Sequence, residues 1–151
     1  MPTATIARVP DHTADTVNEQ IEDQTVCRLS RCASSNALVA QQLSNLQREW
    51  DLERTLQAWF ASVVLTGVAL SVRRNPRWIA LPAVAAGFML QHALLGWCPP
   101  VPLLRRLGVR TQAEIARERY ALKGMRGDFA GLGLDRGAGC AARAYHAARP
   151  V

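Results

Sequence analysis

The sequence lacks the short signatures on which most functional readings rest. It has four cysteines, Cys27, Cys32, Cys98 and Cys140, but no CxxC pair and no repeated pair. The first 24 residues are polar and acidic with no apolar run, so no cleavable signal peptide is expected. Without export, a disulfide scaffold is not expected either, and the thiols other than Cys98 are expected to be reduced and cytosolic. Zinc at Cys27 and Cys32, completed by His12 or His146, would rest on spacing that is weak evidence by itself, so no metal is expected. No RNA-binding sheet motif, zinc-finger spacing or long run of Lys and Arg points to nucleic acid. GxSxG, HExxH, P-loop and dinucleotide fingerprints are absent, and no nucleophile, base and oxyanion donor can be grouped. Neither an enzyme activity nor a cofactor is expected.

Charge is also missing, in two places. Residues 56–72 (LQAWFASVVLTGVALSV) and 78–97 (WIALPAVAAGFMLQHALLGW) hold no Asp, Glu, Lys or Arg. The chain of 151 residues is 49% hydrophobic and 20% charged, averages that fit an ordinary soluble domain. Every charged side chain lies outside the two runs, so the average conceals a segregated chain. A helix rises about 1.5 Å per residue, so the runs extend roughly 25 Å and 28 Å, against a hydrocarbon core of about 30 Å. Trp78 and Trp97 sit at the two ends of the second run, as interfacial aromatic residues do. Two buried helices of a soluble bundle are the alternative. Such helices usually keep charge on one side, and neither run has any. The expected fold is all-α: a two-span transmembrane helical hairpin with flanking amphipathic helices, and the lipid bilayer as its partner.

What is present falls around that hairpin. Residues 1–35 form a polar segment with an amphipathic helix over 12–33, capped by Thr13 and presenting Val17, Ile21 and Leu29 on one face. From residue 37, Val39, Leu43, Leu46 and Trp50 recur with helical spacing, and nothing in the pattern breaks the helix before the first uncharged run. Between the runs, Arg73-Arg74-Asn75-Pro76-Arg77 reads as a tight turn, with Asn75 as cap and Pro76 at the first helical position. Pro82 is expected to bend the second helix. After Trp97, three prolines within residues 99–102 are expected to end the helix in an extended piece, closing a membrane domain over 36–110. Thr111-Gln112-Ala113-Glu114 is a capping box opening an amphipathic helix over 111–129. Residues 130–151, rich in Gly, Ala and Arg, are expected to be mobile.

The net charge of +6 combines an acidic front with a basic back. Residues 1–54 carry five Arg against eight acids, and residues 55–151 carry thirteen basic residues against four acids. Basic residues beside the uncharged runs suit an anionic membrane surface. Arg48, Arg54, Arg105, Arg106, Arg110 and Arg117 flank the hairpin in the tails, against Arg73, Arg74 and Arg77 in the turn. The totals favour both tails in the cytoplasm, the density of arginine in the short turn argues the other way, and the lack of a signal peptide decides for cytoplasmic tails.

Candidate functional residues are few. Small residues four apart, Ser62/Thr66 and Gly67/Ser71 in one run and Ala83/Gly87 in the other, allow helices to approach closely in lipid. Gln91 and His92 are the strongly polar side chains of the second run, and an ionisable residue in a span is a functional candidate. The plainer reading has neutral His92 bonding Ser62, Thr66 or a backbone carbonyl. Cys98 follows at the end of the helix, either as a lipid-modified, paired or reactive thiol or as a small residue buried under the proline segment; Arg105 and Arg106 would lower its pKa if they folded back, and the helix dipole would oppose them.

Several of these residues together resemble a family. They are Asn18 and Ile21, then Leu43 and Leu46 before Glu49-Trp50-Asp51 with Glu53-Arg54, Gln91-His92-Ala93, Gly96-Trp97-Cys98-Pro99-Pro100, Arg105-Arg106-Leu107-Gly108 with Arg110-Thr111, and Glu118-Arg119-Tyr120-Ala121-Leu122-Lys123. The chain resembles the YgaP-like transmembrane domain family, small bacterial inner-membrane proteins of unknown function whose hairpin ends in a Cys-Pro motif. Some members carry a rhodanese-like sulfurtransferase domain before the hairpin. The N-terminal part here is too short for that domain and has no cysteine-bearing active-site loop. The resemblance implies a multi-pass inner-membrane module. The function expected is a non-enzymatic scaffold or accessory membrane subunit that self-associates or binds an unidentified membrane partner. The alternative is a thiol-active membrane protein handling sulfur or redox equivalents through Cys98, and a third reading is attachment to the surface of anionic lipid.

Overall fold

The computed structural model describes residues 9–130 and 138–148. Among the described residues the protein is all-helical. Seven α-helices follow in order: α1 (Asp15–Cys32), α2 (Asn36–Arg48), α3 (Leu52–Arg73), α4 (Ala80–Leu95), α5 (Pro100–Arg106), α6 (Gln112–Arg126) and α7 (Ala138–Ala148). Short 3₁₀ turns cover Pro10–His12 and Pro76–Ile79. The chain divides into two units. One takes in the described residues up to Gln20 together with Trp50–Ala113, and the other is Ile21–Glu49 with the described residues from Glu114 onward.

The first unit contains the hairpin. Its long helix does not run on from α2 as the hydrophobic spacing suggests. Glu49 and Asp51 are extended, and the Asp51 carboxylate accepts a hydrogen bond from the Arg54 amide at 2.7 Å. Aspartate competes for backbone donors, so here it starts a helix instead of continuing one. Trp50 therefore leaves the apolar face on which the spacing had put it. It is 51% exposed, with the Arg54 guanidinium 4.5 Å over its ring.

The turn forms as the sequence indicates. The Asn75 carbonyl oxygen accepts from the Arg77 amide at 2.9 Å, and Pro76 opens the 3₁₀ turn. That turn moves the start of α4 to Ala80, so Pro82 falls in the first helical turn, where amide hydrogens lack helical partners in any case. Gly96, at φ +74°, ends α4 in the left-handed conformation that favours glycine. The prolines that follow build α5 instead of an extended segment, because their fixed φ suits a first helical turn. Thr13 does not cap α1. Its hydroxyl donates to the Val9 carbonyl at 2.8 Å and closes the Pro10–His12 turn.

The core of this unit lies at the open end of the hairpin. Leu52, Leu56 and Phe60 of α3 meet Ala85 of α4, Cys98, Val101 and the N-terminal Val9. The Leu52 amide donates to the Arg110 carbonyl at 2.9 Å, which ties the start of α3 to the segment after α5. Elsewhere the two long helices are bare. Leu65, Val68 and Val72 on α3, and Val84, Leu90 and Leu94 on α4, are all at least 42% exposed. The apolar stretches ending at Arg73 and at Leu95 are each long and apolar enough to cross a membrane, and 17% of the most apolar window in each is buried.

The second unit packs Val39, Leu43 and Leu46 of α2 against Cys32, Ile115 and Leu122. Glu118 is buried at its centre, accepting from Gln42 Nε2 at 2.9 Å and paired with Arg28 at 3.4 Å. Lys123, also buried, donates to the Ala147 carbonyl at 2.6 Å. The tail expected to be mobile includes α7, while residues 131–137 and 149–151 lie outside the described residues.

Candidate functional site

The polar residues of the hairpin gather at its open end. Glu53 stands in the first turn of α3, where a carboxylate complements the helix dipole. His92 stands in the last turn of α4. Antiparallel packing brings the two together, and His92 Nε2 lies 3.3 Å from both carboxylate oxygens of Glu53. A carboxylate only accepts, so Nε2 carries the shared hydrogen. His92 is 3% exposed, and its Nδ1 is buried with no hydrogen-bond partner. This is not the partner expected for His92: Ser62 and Thr66 bond the carbonyls of Ala58 and Ser62 within their own helix, each at 2.8 Å. Gln91 is partly buried beside the pair in sequence.

Cys98 is fully buried in the same core. Burial pushes its thiol above the ordinary value, the Val101 amide works the other way, and the Glu53 charge adds to the rise. The arginines expected to fold back and lower it do something else. Arg105 is fully buried and donates to Asn18 Oδ1 at 2.9 Å and to the Val109 carbonyl at 3.4 Å. Asn18 Nδ2 in turn donates to the Pro10 carbonyl at 3.0 Å. One amide side chain thus links the N-terminal turn to α5, and Val9 is seated in the core with Cys98. Arg106 is exposed.

The small residues separate into two sets. Gly67 is buried at the crossing of the helices, where an added Cβ would collide with Pro82 Cδ. Ser62, Thr66, Ala83 and Gly87 are exposed, and an added Cβ at Gly87 meets nothing within 4 Å. Ser71 is half-buried, its hydroxyl 3.4 Å from the Pro76 carbonyl. The residues that pack α3 on α4 are therefore mostly large: Leu56, Phe60, Val63 and Val64 against Ala85, Phe88 and Met89.

Glu53, Asn18 and Val9 are the participants that sequence reading missed. The signal for Glu53 was the turn itself, since an antiparallel hairpin pivoting at Asn75 sets the start of one helix beside the end of the other. Asn18 stood among the residues of the resemblance with no role assigned to it, and nothing in the sequence marked Val9. Chemically, the arrangement holds a protonated thiol and an imidazole committed to a carboxylate. In the second unit Cys27 is exposed and Cys32 buried. Among the described residues, no three His, Cys, Asp or Glu side chains gather as metal ligands would. In comparison with known proteins, no family model matches the chain, and no curated protein or solved structure is significantly similar to it.

Proposed function

We propose that this protein is a small integral protein of the bacterial inner membrane that crosses the bilayer twice as a helical hairpin. Both tails are cytoplasmic, and the protein acts as a non-enzymatic scaffold or accessory subunit. The observation that carries the reading is the bare apolar surface of α3 and α4: 17% of the most apolar window in each stretch is buried. A soluble protein seldom leaves so continuous an apolar surface in water, and core helices are mostly buried. Lipid covers such a surface without cost. The hydroxyls of Ser62 and Thr66 suit the same surroundings, because each is bonded to a carbonyl of its own helix. The larger number of arginines near the spans in the tails supports the orientation, and the YgaP-like resemblance supports the bacterial inner membrane.

Two features support scaffolding over chemistry. Burial keeps the Cys98 thiol protonated, the unreactive form. Ser62, Thr66, Ala83 and Gly87 face outward, where a helix of a second copy or of a partner can approach closely. Cross-linking in native membranes through a cysteine placed at Ala83 tests this role. Covalent dimers or a discrete partner adduct are expected, and monomer alone would contradict it. A Cys98→Ser variant is expected to tolerate thiol stress like the parent, whereas a thiol-active protein would lose that tolerance.

A further inference from the structure

The arginines of the hairpin unit differ between its two ends, and membrane spanning alone makes no use of the difference. No Asp or Glu occurs between Arg54 and Ala113. At the open end, Arg105 and Arg110 are buried, Arg54 lies over the Trp50 ring, and Arg106 alone of the four is exposed without such a contact. At the turn, Arg73, Arg74 and Arg77 are all exposed, and none pairs with a carboxylate among the described residues. The backbone that carries them is held on both sides. The Arg74 amide donates to the Leu70 carbonyl at 2.8 Å, and the Arg77 amide donates to Asn75. Exposed apolar side chains flank them directly: Val72 on one side, Trp78 and Ile79 on the other.

We infer that this turn is a docking site for the headgroups of anionic phospholipids. Guanidinium presents a fork of donors that matches phosphate oxygens, and it is weakly hydrated enough to leave water for them. The apolar flanks select the source of the phosphate. Val72, Trp78 and Ile79 have acyl chains to rest on beside a lipid headgroup, and a free phosphate ion would use none of them. The inference rests on the spanning reading, because only a spanning hairpin brings the turn to a headgroup layer.

The test uses the full chain reconstituted in phosphatidylcholine vesicles containing a trace of spin-labelled phosphatidylglycerol or spin-labelled phosphatidylcholine. Electron spin resonance then reads the fraction of label immobilised at the protein. A preference for phosphatidylglycerol on the order of tenfold is expected at low salt, weakening as salt is added. The triple variant Arg73→Gln/Arg74→Gln/Arg77→Gln is expected to lose most of it, Arg73→Lys/Arg74→Lys/Arg77→Lys to keep an intermediate part through charge without the fork, and Arg106→Gln to leave it unchanged. Equal immobilisation of the two labels by the parent, or a preference that survives the glutamine triple variant, overturns the inference. So does displacement of the label by millimolar inorganic phosphate, which would make the turn a free-anion site. An alkaline wash separates the two levels. Protein washed off the vesicles contradicts spanning itself, whereas protein that stays without a preference contradicts the headgroup site alone. If the glutamine variant does not insert, the preference of the parent and its loss with salt decide the matter.

Discussion

A methyl group added at Gly67 would collide with Pro82 Cδ and lie 3.2 Å from the Leu81 Cβ, whereas one added at Gly87 would meet nothing. A proline ring near the start of a helix has little freedom to yield. Gly67→Ala is therefore expected to destabilise the hairpin by about 1–3 kcal/mol. Gly87→Ala is expected to be neutral or to gain up to about 1 kcal/mol from helix propensity. Unfolding in detergent micelles, followed by far-ultraviolet circular dichroism during titration with a denaturing detergent, measures both. Cys98 makes a second prediction at this scale. Its thiol is raised above 9.0 in the folded protein by burial and by the Glu53 charge. The folded state therefore holds the thiol proton to higher pH than the unfolded chain does. The resulting stability is present below about pH 9 and declines as the pH rises further, because the unfolded chain ionises first. Cys98→Ser should flatten that decline. At neutral pH a maleimide should modify the exposed Cys27 and spare Cys98, which mass spectrometry of peptides reads directly.

Among the elements, α3 depends on both of its ends. Asp51→Ala removes the acceptor for the Arg54 amide and is expected to cost about 1 kcal/mol. Glu53→Ala leaves a buried imidazole without an acceptor and is expected to cost about 1–3 kcal/mol in the same titration. The double variant Glu53→Ala/His92→Leu should cost less than the sum of its parts, since it removes both polar groups together. These elements also show what the sequence could reveal. The two apolar helices and the turn at Asn75 were readable, because absent charge and a capped proline are local signals. The break at Glu49 to Asp51 was not, because Val39, Leu43, Leu46 and Trp50 keep helical spacing across it and an aspartate serves equally as a helix residue or as a cap. Thr13 misled in the same way, since its hydroxyl has a backward partner in the Val9 carbonyl as well as a forward one. The inward faces of α3 and α4 were hidden for a different reason. A helix that is apolar all round has no hydrophobic face to read, so Ser62 and Ala83, which look suited to contact, turn out to face away from it. The pairing of Glu53 with His92 needed the register of the hairpin, which sequence separation alone does not supply.

For the whole molecule, stability depends on what covers the hairpin. Its own unit supplies a core only around Leu52, Leu56, Phe60 and Cys98, and leaves large side chains such as Leu65, Val72 and Leu94 more than 60% exposed. An apolar surface of this kind is stable against lipid and unstable in water. The most direct measurement is photolabelling of the full chain in native membranes with a carbene probe dissolved in the bilayer, resolved to single residues by mass spectrometry. If lipid surrounds the hairpin, label will accumulate at Leu65, Val68, Val84 and Leu90 and will be absent from Leu56, Phe60 and Ala85. Absence of label from both sets would contradict the account.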